Sequence, residues 1–455
     1  MTLPTASAGV GIVPRAQHPI SRKQISGNAL RVLYRLHEAG YQAYLVGGAV
    51  RDLLLGLAPK DFDVATDALP EQIRQLFRNC RLIGRRFRLA HIHFGREIIE
   101  VATFRGSGDG AGDREVDNGR LLRDNVYGTL EEDIFRRDFT ANALYYHIGD
   151  FSLLDEVGGM ADIQARHLRL IGDPRERFRE DPVRMMRAVR FAAKLDFSID
   201  QQMLDLMPSM APLLAEMPPA RLFDEAGKML LNGHALDSFD LLRDCGLLPE
   251  LMPQVERSLA GADGERSLRF IRTALANADD RVHQGKTLTS GFILAVLLWQ
   301  PAREEHAQRV AAGEEASQAW LQVGERVVVP FCRRVAVPRR ITLGTLEIWT
   351  LQHWLLQRNR RRVVRLLGHP RFRAAFDFLC LRASVEPELE PVAQWWQQAQ
   401  TLDAGQLREH IQALNQNAGP GRDDGEAQET KGTGRRRRRS GRRRRSGKGS
   451  AVPES

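Results

Sequence analysis

One segment of the sequence restricts the fold more than any other. The stretch "LVGGAVRDLLLGLAPKDFDVAT" holds a strand-like run that ends in Gly47 and Gly48, a short helical run, and a second strand-like run with Asp61 and Asp63. Side chains two residues apart on a strand project from the same face, so the two carboxylates are expected to lie together. The order of strand, glycine turn, helix and acidic strand predicts a small mixed sheet covered by helices.

Hydrophobic spacing divides the rest of the chain into a mixed front part and a helical remainder. Strand-like runs recur as far as about residue 150, and from about Pro174 to about Ile411 the apolar residues follow helical spacing. The sequence therefore predicts an α+β protein. Its expected segments are a disordered N-terminus (1–24), a mixed head (25–160), a helical neck (161–250), a helical body and C-terminal domain (251–411) and a disordered tail (412–455).

The net charge of +9 is concentrated at the C-terminus. Residues 431–455 hold nine arginines, two lysines and one glutamate, so the other 430 residues are close to neutral. A segment rich in Gly, Ser and Arg cannot bury a core, and we expect it to be disordered. Its charge attracts polyanions, and RNA or DNA is the expected partner, although a merely solvated tail is the alternative. The residues predicted to contact RNA there are Arg435, Arg436, Arg437, Arg442 and Arg443.

Composition argues against a membrane or disulfide-bonded protein. No apolar run approaches the roughly 20 residues of a membrane span, and the first residues lack the basic start and apolar core of a secretory signal. The four cysteines are far apart and form no CxxC pair. This spacing fits reduced thiols better than a disulfide framework or a zinc site, so we expect a cytoplasmic protein.

The residue types in the opening segment suit a nucleoside triphosphate. Two adjacent carboxylates can share divalent cations in a phosphoryl transfer, and oxygen ligands favour Mg²⁺. Gly47 and Gly48 let the backbone approach a triphosphate at a helix start, and Arg51, one turn later, suits a phosphate. Each part is weak alone. Together they predict a site for ATP and two Mg²⁺ ions at Asp61 and Asp63.

The arrangement resembles the head of the polymerase-β-like nucleotidyltransferase superfamily. The form "LVGGAVRDLLLG...DFDV" is similar to its second class, which contains the bacterial tRNA CCA-adding enzymes and bacterial poly(A) polymerases. "RRDFTANAL" (136–144) resembles the family segment that contacts the ribose and triphosphate. "EDPVRMMRAVRFAAKL" (180–195) resembles the neck helix that reads the incoming base, and "PARLFDEAGKML" the following neck motif. The resemblance is strong over about 25–245 and looser to about 400.

This resemblance implies roles for five further residues. Asp138 would be an active-site carboxylate, although its position also suits a helix N-cap, and Arg137 would bind the triphosphate. Asp181 and Arg184 are three apart, which predicts one helical face, and together they can mimic a base-pairing edge. Arg187, one turn further, would bind a base or a phosphate. The alternative for the neck residues is an ordinary helical ion pair.

Glu100, on the predicted strand "IIEVATF", competes with Asp138 as the third carboxylate. Ile98, Ala102 and Phe104 share its face of the strand. We therefore expect a buried acid that needs a partner, for which a metal ion is one candidate.

The stretch "CRLIGRRFRLAHIHFG" separates the two enzyme types of the class. It resembles the segment that marks bacterial poly(A) polymerases, and its Arg85 and Arg86 are predicted to bind RNA; arginines that keep an edge strand from pairing are the alternative. We favour a template-independent polymerase that adds AMP from ATP to single-stranded RNA 3′ ends in mRNA polyadenylation and RNA turnover. A CCA-adding tRNA nucleotidyltransferase and a non-catalytic RNA-binding adaptor are the alternatives.

Overall fold

The structure is a computed structural model that describes residues 11–84, 88–106, 114–117, 120–124, 126–358 and 360–417. It divides into one compact unit up to Thr401 and a second unit from Leu402, of which one helix is described. The strands are β1 (Gly11–Val13), β2 (Ala43–Val46), β3 (Asp63–Thr66), β4 (Cys80–Ile83), β5 (Leu89–Phe94), β6 (Glu97–Thr103), β7 (Arg114–Asp117), β8 (Arg120–Asp124), β9 (Tyr145–His147), β10 (Leu153–Asp155), β11 (His167–Leu168) and β12 (Ser198–Ile199).

The α-helices outnumber the strands and dominate the chain after the head. They are α1 (Gly27–Glu38), α2 (Gly48–Leu54), α3 (Pro70–Leu76), α4 (Leu130–Phe135), α5 (Gly159–Gln164), α6 (Pro174–Glu180), α7 (Val183–Leu195), α8 (Gln201–Met210), α9 (Pro219–Leu230), α10 (Ala235–Asp244), α11 (Leu248–Leu251), α12 (Pro253–Leu259), α13 (Gly264–His283), α14 (Ser290–Leu297), α15 (Trp299–Ala311), α16 (Ala316–Val323), α17 (Val329–Arg334), α18 (Arg339–Leu355), α19 (Arg360–Leu367), α20 (Phe372–Ala383), α21 (Glu390–Ala399) and α22 (Ala404–Asn417).

The head is built on one eight-stranded mixed sheet with the order β1-β10-β9-β2-β3-β6-β5-β4. Strand β3 is antiparallel to β2 and parallel to β6. This architecture confirms the predicted α+β class with a mixed sheet in the head and helices after it. No helix among the described residues combines the length and the apolar character that a membrane crossing requires.

The register of β2 and β3 positions the segment with which the sequence analysis began. Val46, the last residue of β2, lies opposite Asp63, the first residue of β3. The glycine turn that follows Val46 and the acidic residues that open β3 therefore lie at the same end of the sheet. Neighbouring strands lie about 5 Å apart, so the turn and the acids can act on one ligand.

Head and neck share a continuous apolar core, which includes buried residues from Ile20 to Leu381. The ring of Phe139 in the head packs edge-on against Phe191 of the neck helix α7, with centroids 5.6 Å apart. The site residues that lie on the head and on α7 are consequently held in a fixed relation by packing rather than by a flexible connection.

Two predicted boundaries are wrong. Residues 11–24, expected to be disordered, are ordered: β1 adds to the sheet edge beside β10, and Ile20 is buried. A strand of three residues gains its order from backbone pairing, which hydrophobic periodicity does not reveal. The predicted tail also begins too early, because α22 continues to Asn417; residues 418–455 lie outside the described part of the chain.

Candidate active site

The two acids of the opening segment lie at the start of β3. The prediction that both belong to one strand is wrong in detail, because the strand begins only at Asp63 and Asp61 lies in the preceding loop. Both residues are exposed. Asp61 accepts no hydrogen bond within the described part of the chain. Its carboxylate oxygens are thus available to a ligand that the protein does not itself supply.

Glu100 of β6 lies directly opposite Asp63 in the parallel register. The expectation that it is buried is wrong: its side chain is 41% exposed, and its Oε2 lies 3.2 Å from Nε2 of His91 on β5. Ile98, two residues earlier on the same face, is 44% exposed. This face of the sheet is therefore open around Glu100, although Ala65 further along it is buried in a small second core. Ile99 and Val101 of the other face belong to the main core.

The charges at this end of the sheet repel one another. Desolvation and then the neighbouring carboxylate of Glu100 raise the pKa of Asp63 to about 6, Asp61 adds to this effect, and Arg137 opposes it. Water screens part of the repulsion, because Asp63 is itself exposed. No three His, Cys, Asp or Glu side chains of the described residues already stand close enough together to hold a metal ion. The chemistry of the donors nevertheless fits Mg²⁺, because they are carboxylate oxygens and a cation would relieve their repulsion.

The glycine turn has the geometry that the sequence suggested. Gly47 has φ 68° and ψ −136°, a region essentially restricted to glycine. A Cβ atom built on Gly47 would lie 3.5 Å from Nη1 of Arg137. The start of α2 and this guanidinium consequently face the same space, as a triphosphate site requires.

Arg51 also lies close to the turn, because a Cβ atom built on Gly48 would lie 3.5 Å from its Nη2. Its side chain is 3% exposed, with Nη2 2.6 Å from Oδ1 of Asp52 and Nη1 2.6 Å from Oδ1 of Asn142. These bonds tie α2 to the turn Thr140–Asn142. Arg51 thus supports the turn in this structure, and its assignment as a phosphate ligand stays a prediction.

Arg137 is held by two residues that the sequence analysis did not single out. Its Nε donates to the hydroxyl of Tyr145 at 2.5 Å, and its Nη2 donates to Oδ2 of Asp133 at 3.2 Å. Burial tends to raise the pKa of Asp133, but the guanidinium groups of Arg137 and Arg136 outweigh it and lower that pKa. The four-residue spacing of Asp133 and Arg137 on helical sequence was the signal that could have identified Asp133.

Asp138 faces the neck. Its Oδ2 accepts from Nε of Arg187 on α7 at 2.8 Å, and its Oδ1 accepts from the backbone N–H of Phe139 at 2.8 Å. Burial tends to raise the pKa of Asp138, but the Arg187 guanidinium lowers it below its usual value. Both oxygens are therefore already engaged, and the carboxylate joins head to neck. Its catalytic role remains a prediction.

The neck is not one continuous helix. α6 ends at Glu180, and α7 begins at Val183, so the prediction that Asp181 and Arg184 share a helical face is wrong. Asp181 is extended, with φ −148° and ψ 90°, because the following Pro182 disfavours helical geometry at the residue before it. Asp181 pairs with Arg221 of α9 at 2.8 Å, whereas Arg184 pairs with Glu180 at 2.7 Å.

A cavity of about 520 Å³ nevertheless brings four of the predicted nucleotide-binding residues together, whereas Gly47, Gly48 and Arg51 do not line it. The residues around it are Arg105, Arg136, Arg137, Asp138, Asp181, Val183, Arg184, Arg187, Arg221, Asp224, Glu225 and Lys228. We call it the neck cavity. Seven basic residues and four acidic ones suit an anionic ligand that also offers hydrogen-bonding edges, such as a nucleotide. Arg221 and Glu225, which the sequence analysis did not name, come from the second neck motif.

The predicted RNA contacts cannot be placed. Arg85 and Arg86 lie outside the described residues, as do Arg435, Arg436, Arg437, Arg442 and Arg443. Their assignment therefore remains a prediction from the sequence.

Three family models match successive parts of the chain. Residues 43–169 match the poly A polymerase head domain, 196–259 match the "Probable RNA and SrmB- binding site of polymerase A", and 312–445 match the polymerase A arginine-rich C-terminus. Poly(A) polymerase I of Salmonella typhi is 48% identical over 420 residues, which cover 90% of each protein. The chain belongs to the poly(A) polymerase family.

Members of the CCA-adding group are similar over less of the chain. The CCA-adding enzyme of Geobacillus kaustophilus is 38% identical over 231 residues, or 50% of this chain and 56% of that enzyme. The crystal structure of the Bacillus stearothermophilus CCA-adding enzyme with CTP aligns with a TM-score of 0.55 at 27% identity, over 85% of this chain and 82% of the other. The resemblance stated from the motifs is thus confirmed, and the poly(A) polymerase family to which the chain belongs consists of nucleotidyltransferase enzymes.

Proposed function

We propose that the protein is a template-independent poly(A) polymerase, which transfers AMP from ATP to the 3′ end of RNA. The position of Arg137 carries this proposal. Its Nη1 lies beside the Gly47 turn, its charge opposes the rise in the pKa of Asp63, and the same side chain lines the neck cavity. One guanidinium thereby connects the place where the α-phosphate would react with the place where the nucleotide would be held.

The end of the sheet that carries Asp61, Asp63 and Glu100, here called the carboxylate end, would hold the metal ions of the reaction. Asp61 and Asp63 would bind the two Mg²⁺ ions, which when bound activate the 3′-hydroxyl and neutralise charge on the phosphates. The backbone N–H groups at Gly47 and Gly48 and the guanidinium of Arg137 would hold the triphosphate. The catalytic contribution of these residues is therefore positioning and charge stabilisation.

The neck cavity would select the nucleotide without a nucleic-acid template. Asp181, Arg184 and Arg187 all line it, and Asp and Arg side chains supply the acceptors and donors that read a base edge. Asp181 and Arg184 have separate partners, so each would have to exchange an existing bond for one to the base. The preference for ATP over CTP is supported by the similarity to poly(A) polymerase I along nearly the whole chain.

RNA 3′ ends would be the second substrate. The arginine-rich C-terminal match and the match to a polymerase A RNA-binding segment support this partner, and the basic tail would bind single strands with little sequence preference. The protein would act in mRNA polyadenylation and RNA turnover. The four free cysteines fit a reducing compartment and hence the cytoplasm.

The function is tested by incorporation on two primers, a generic single-stranded RNA and a tRNA that lacks its terminal CCA, with Mg²⁺ and each nucleotide in turn. Long A-tracts on the generic RNA with little use of CTP are expected. Addition of only C, C and A to the tRNA would instead identify a CCA-adding enzyme. RNA binding without incorporation on either primer would identify a non-catalytic adaptor.

A further inference from the structure

A row of polar residues crosses the open face of the sheet beside the predicted metal site. In the strand registers, Asp63 lies opposite Glu100, Glu100 lies opposite His91, and His91 lies opposite Arg81. His91 is half-buried, whereas its neighbour Ile92 is fully buried on the other face. Directly opposed residues on neighbouring strands have Cβ atoms about 5 Å apart. The histidine therefore lies one strand further from Asp63 than Glu100 does.

The contact between His91 and Glu100 is specific to one oxygen. Nε2 of His91 lies 3.2 Å from Oε2 of Glu100, with the two side chains 22% and 41% exposed. Oε1 of Glu100 accepts no hydrogen bond from any described residue. The histidine thus fixes one oxygen of the carboxylate and leaves the other available.

The alternative third carboxylate is already engaged elsewhere. Asp138 bonds to Arg187 of the neck and to the backbone of Phe139, so use of this carboxylate at the metal site would break a buried ion pair. Glu100 forms no ion pair with an arginine among the described residues, and it lies beside Asp63 in the sheet. Two adjacent carboxylates repel each other, and without a second contact the Glu100 side chain would turn away from Asp63 towards water.

We propose that His91 is a positioning residue of the metal site, which holds Glu100 beside Asp63 so that Glu100 joins Asp61 and Asp63 as the third carboxylate. The inference rests on the proposed function, because it assumes a metal site at Asp61 and Asp63. Residues that hydrogen-bond a metal-binding carboxylate fix its orientation, and their removal typically weakens metal binding about 10- to 100-fold.

The chain offers a matched control two residues away. His93 lies on the same strand and the same face as His91, and it is also half-buried. Its register partner is Ile98 rather than an acid. His93→Ala is therefore the control: it removes a histidine from the same face but leaves the contact between His91 and Glu100 in place.

The experiment measures Mn²⁺ binding to the full-length protein by titration calorimetry, without RNA or ATP. His91→Ala is expected to weaken Mn²⁺ binding at least about 10-fold, His93→Ala to leave it unchanged, and His91→Gln to recover part of the loss because its amide can donate to Glu100. Glu100→Gln should weaken binding similarly. The double variant His91→Ala/Glu100→Gln should bind Mn²⁺ little more weakly than either single variant, because both substitutions disrupt the same contact between His91 and Glu100.

Two results would overturn the proposal. If Asp63→Asn loses Mn²⁺ binding while His91→Ala binds as the wild type does, the positioning role fails and the metal site stands. If Asp63→Asn binds Mn²⁺ with wild-type affinity, the metal assignment in the proposed function fails, and the role of His91 fails with it. Should His91→Ala not fold, additive effects of His91→Gln and Glu100→Gln would contradict the coupling.

Discussion

The carboxylate end of the sheet and the neck cavity both contain acids, but the acids differ in what surrounds them. Asp61 is exposed and unpaired within the described chain, and Asp63 lies beside the like charge of Glu100. In the neck cavity, Asp138 is paired with Arg187 and Asp181 with Arg221. Among the described residues, no arginine or lysine forms an ion pair with a carboxylate of the first group, whereas the carboxylates of the second group are paired with arginines.

This difference assigns different tasks to the two regions. Carboxylates that repel one another are unfavourable for folding and become favourable only when a cation binds. Carboxylates paired with arginines are already stabilised, and they fix the arginines in place for a ligand. We therefore expect substitutions at the carboxylate end to affect chemistry without loss of stability, and substitutions in the neck cavity to affect both.

The largest effect is expected at the carboxylate end. Asp61→Asn and Asp63→Asn should each lower AMP incorporation by roughly 10³-fold, because a metal ion contributes several kcal/mol to stabilisation of the transition state. RNA affinity, measured by filter binding, should stay within about twofold as the internal control. Incorporation that persists in both variants would show that Asp61 and Asp63 do not form the metal site.

Arg187→Ala tests the paired region. It leaves Asp138, whose side chain is 13% exposed, without its cation. We expect a loss of roughly 2–3 kcal/mol in the free energy of unfolding, less than for a fully buried pair because Arg187 is 30% exposed. Urea unfolding measures this loss.

Arg166→Ala is the control for that substitution. Arg166 pairs with Asp196, and both side chains are largely exposed, so the change should stay within about 0.5 kcal/mol. Equal effects of the two substitutions would show that the Asp138–Arg187 pair contributes no more to stability than an exposed pair does.

Deletion of residues 431–455 tests the contribution of the tail to RNA binding while the carboxylate end and the neck cavity stay unchanged. The nine arginines lost should lower RNA affinity at least about 10-fold at low salt, and each lost phosphate contact should lower the salt slope by about 0.7. A full-length variant with all nine arginines changed to lysine should keep most of the slope. Unchanged RNA binding after the deletion would show that the tail is only solvated.

The smallest effect concerns pH. Asp63 has a pKa raised to about 6 in the folded protein, whereas an unfolded aspartate titrates near 4. Its charge therefore costs stability fully above pH 6 and not below about pH 4. In metal-free protein, Asp63→Asn should raise the melting temperature at pH 8, and this gain should disappear by pH 4. A gain that is independent of pH would contradict the raised pKa of Asp63.

The sequence predicted the features that depend on local order. Gly47 and the acids at Asp61 and Asp63 were recognised because a turn, a helix and a strand follow one another within about twenty residues. The break at Asp181 was also visible in principle, because Pro182 restricts the residue before it. The helical spacing of the neighbouring residues conceals this restriction, so spacing alone extends the helix across Asp181.

Contacts between distant segments were not predictable from spacing. The burial of Arg51 depends on Asn142, 91 residues away, and the partner of Asp138 lies 49 residues further along the chain. The exposure of Glu100 depends on how far the covering elements extend over its face of the sheet, which the alternation along β6 does not predict. Each of these features is set by tertiary packing rather than by local sequence.

In the proposed mechanism, the carboxylate end performs the transfer and the neck cavity chooses the nucleotide. Single-turnover incorporation of ATP and CTP by the wild type, Asp63→Asn and Arg184→Ala tests it most directly. Asp63→Asn should lose transfer of both nucleotides equally, whereas Arg184→Ala should keep measurable transfer and lose much of the ATP preference. An unchanged ATP-to-CTP ratio in Arg184→Ala, or transfer that persists in Asp63→Asn, would contradict this division of roles.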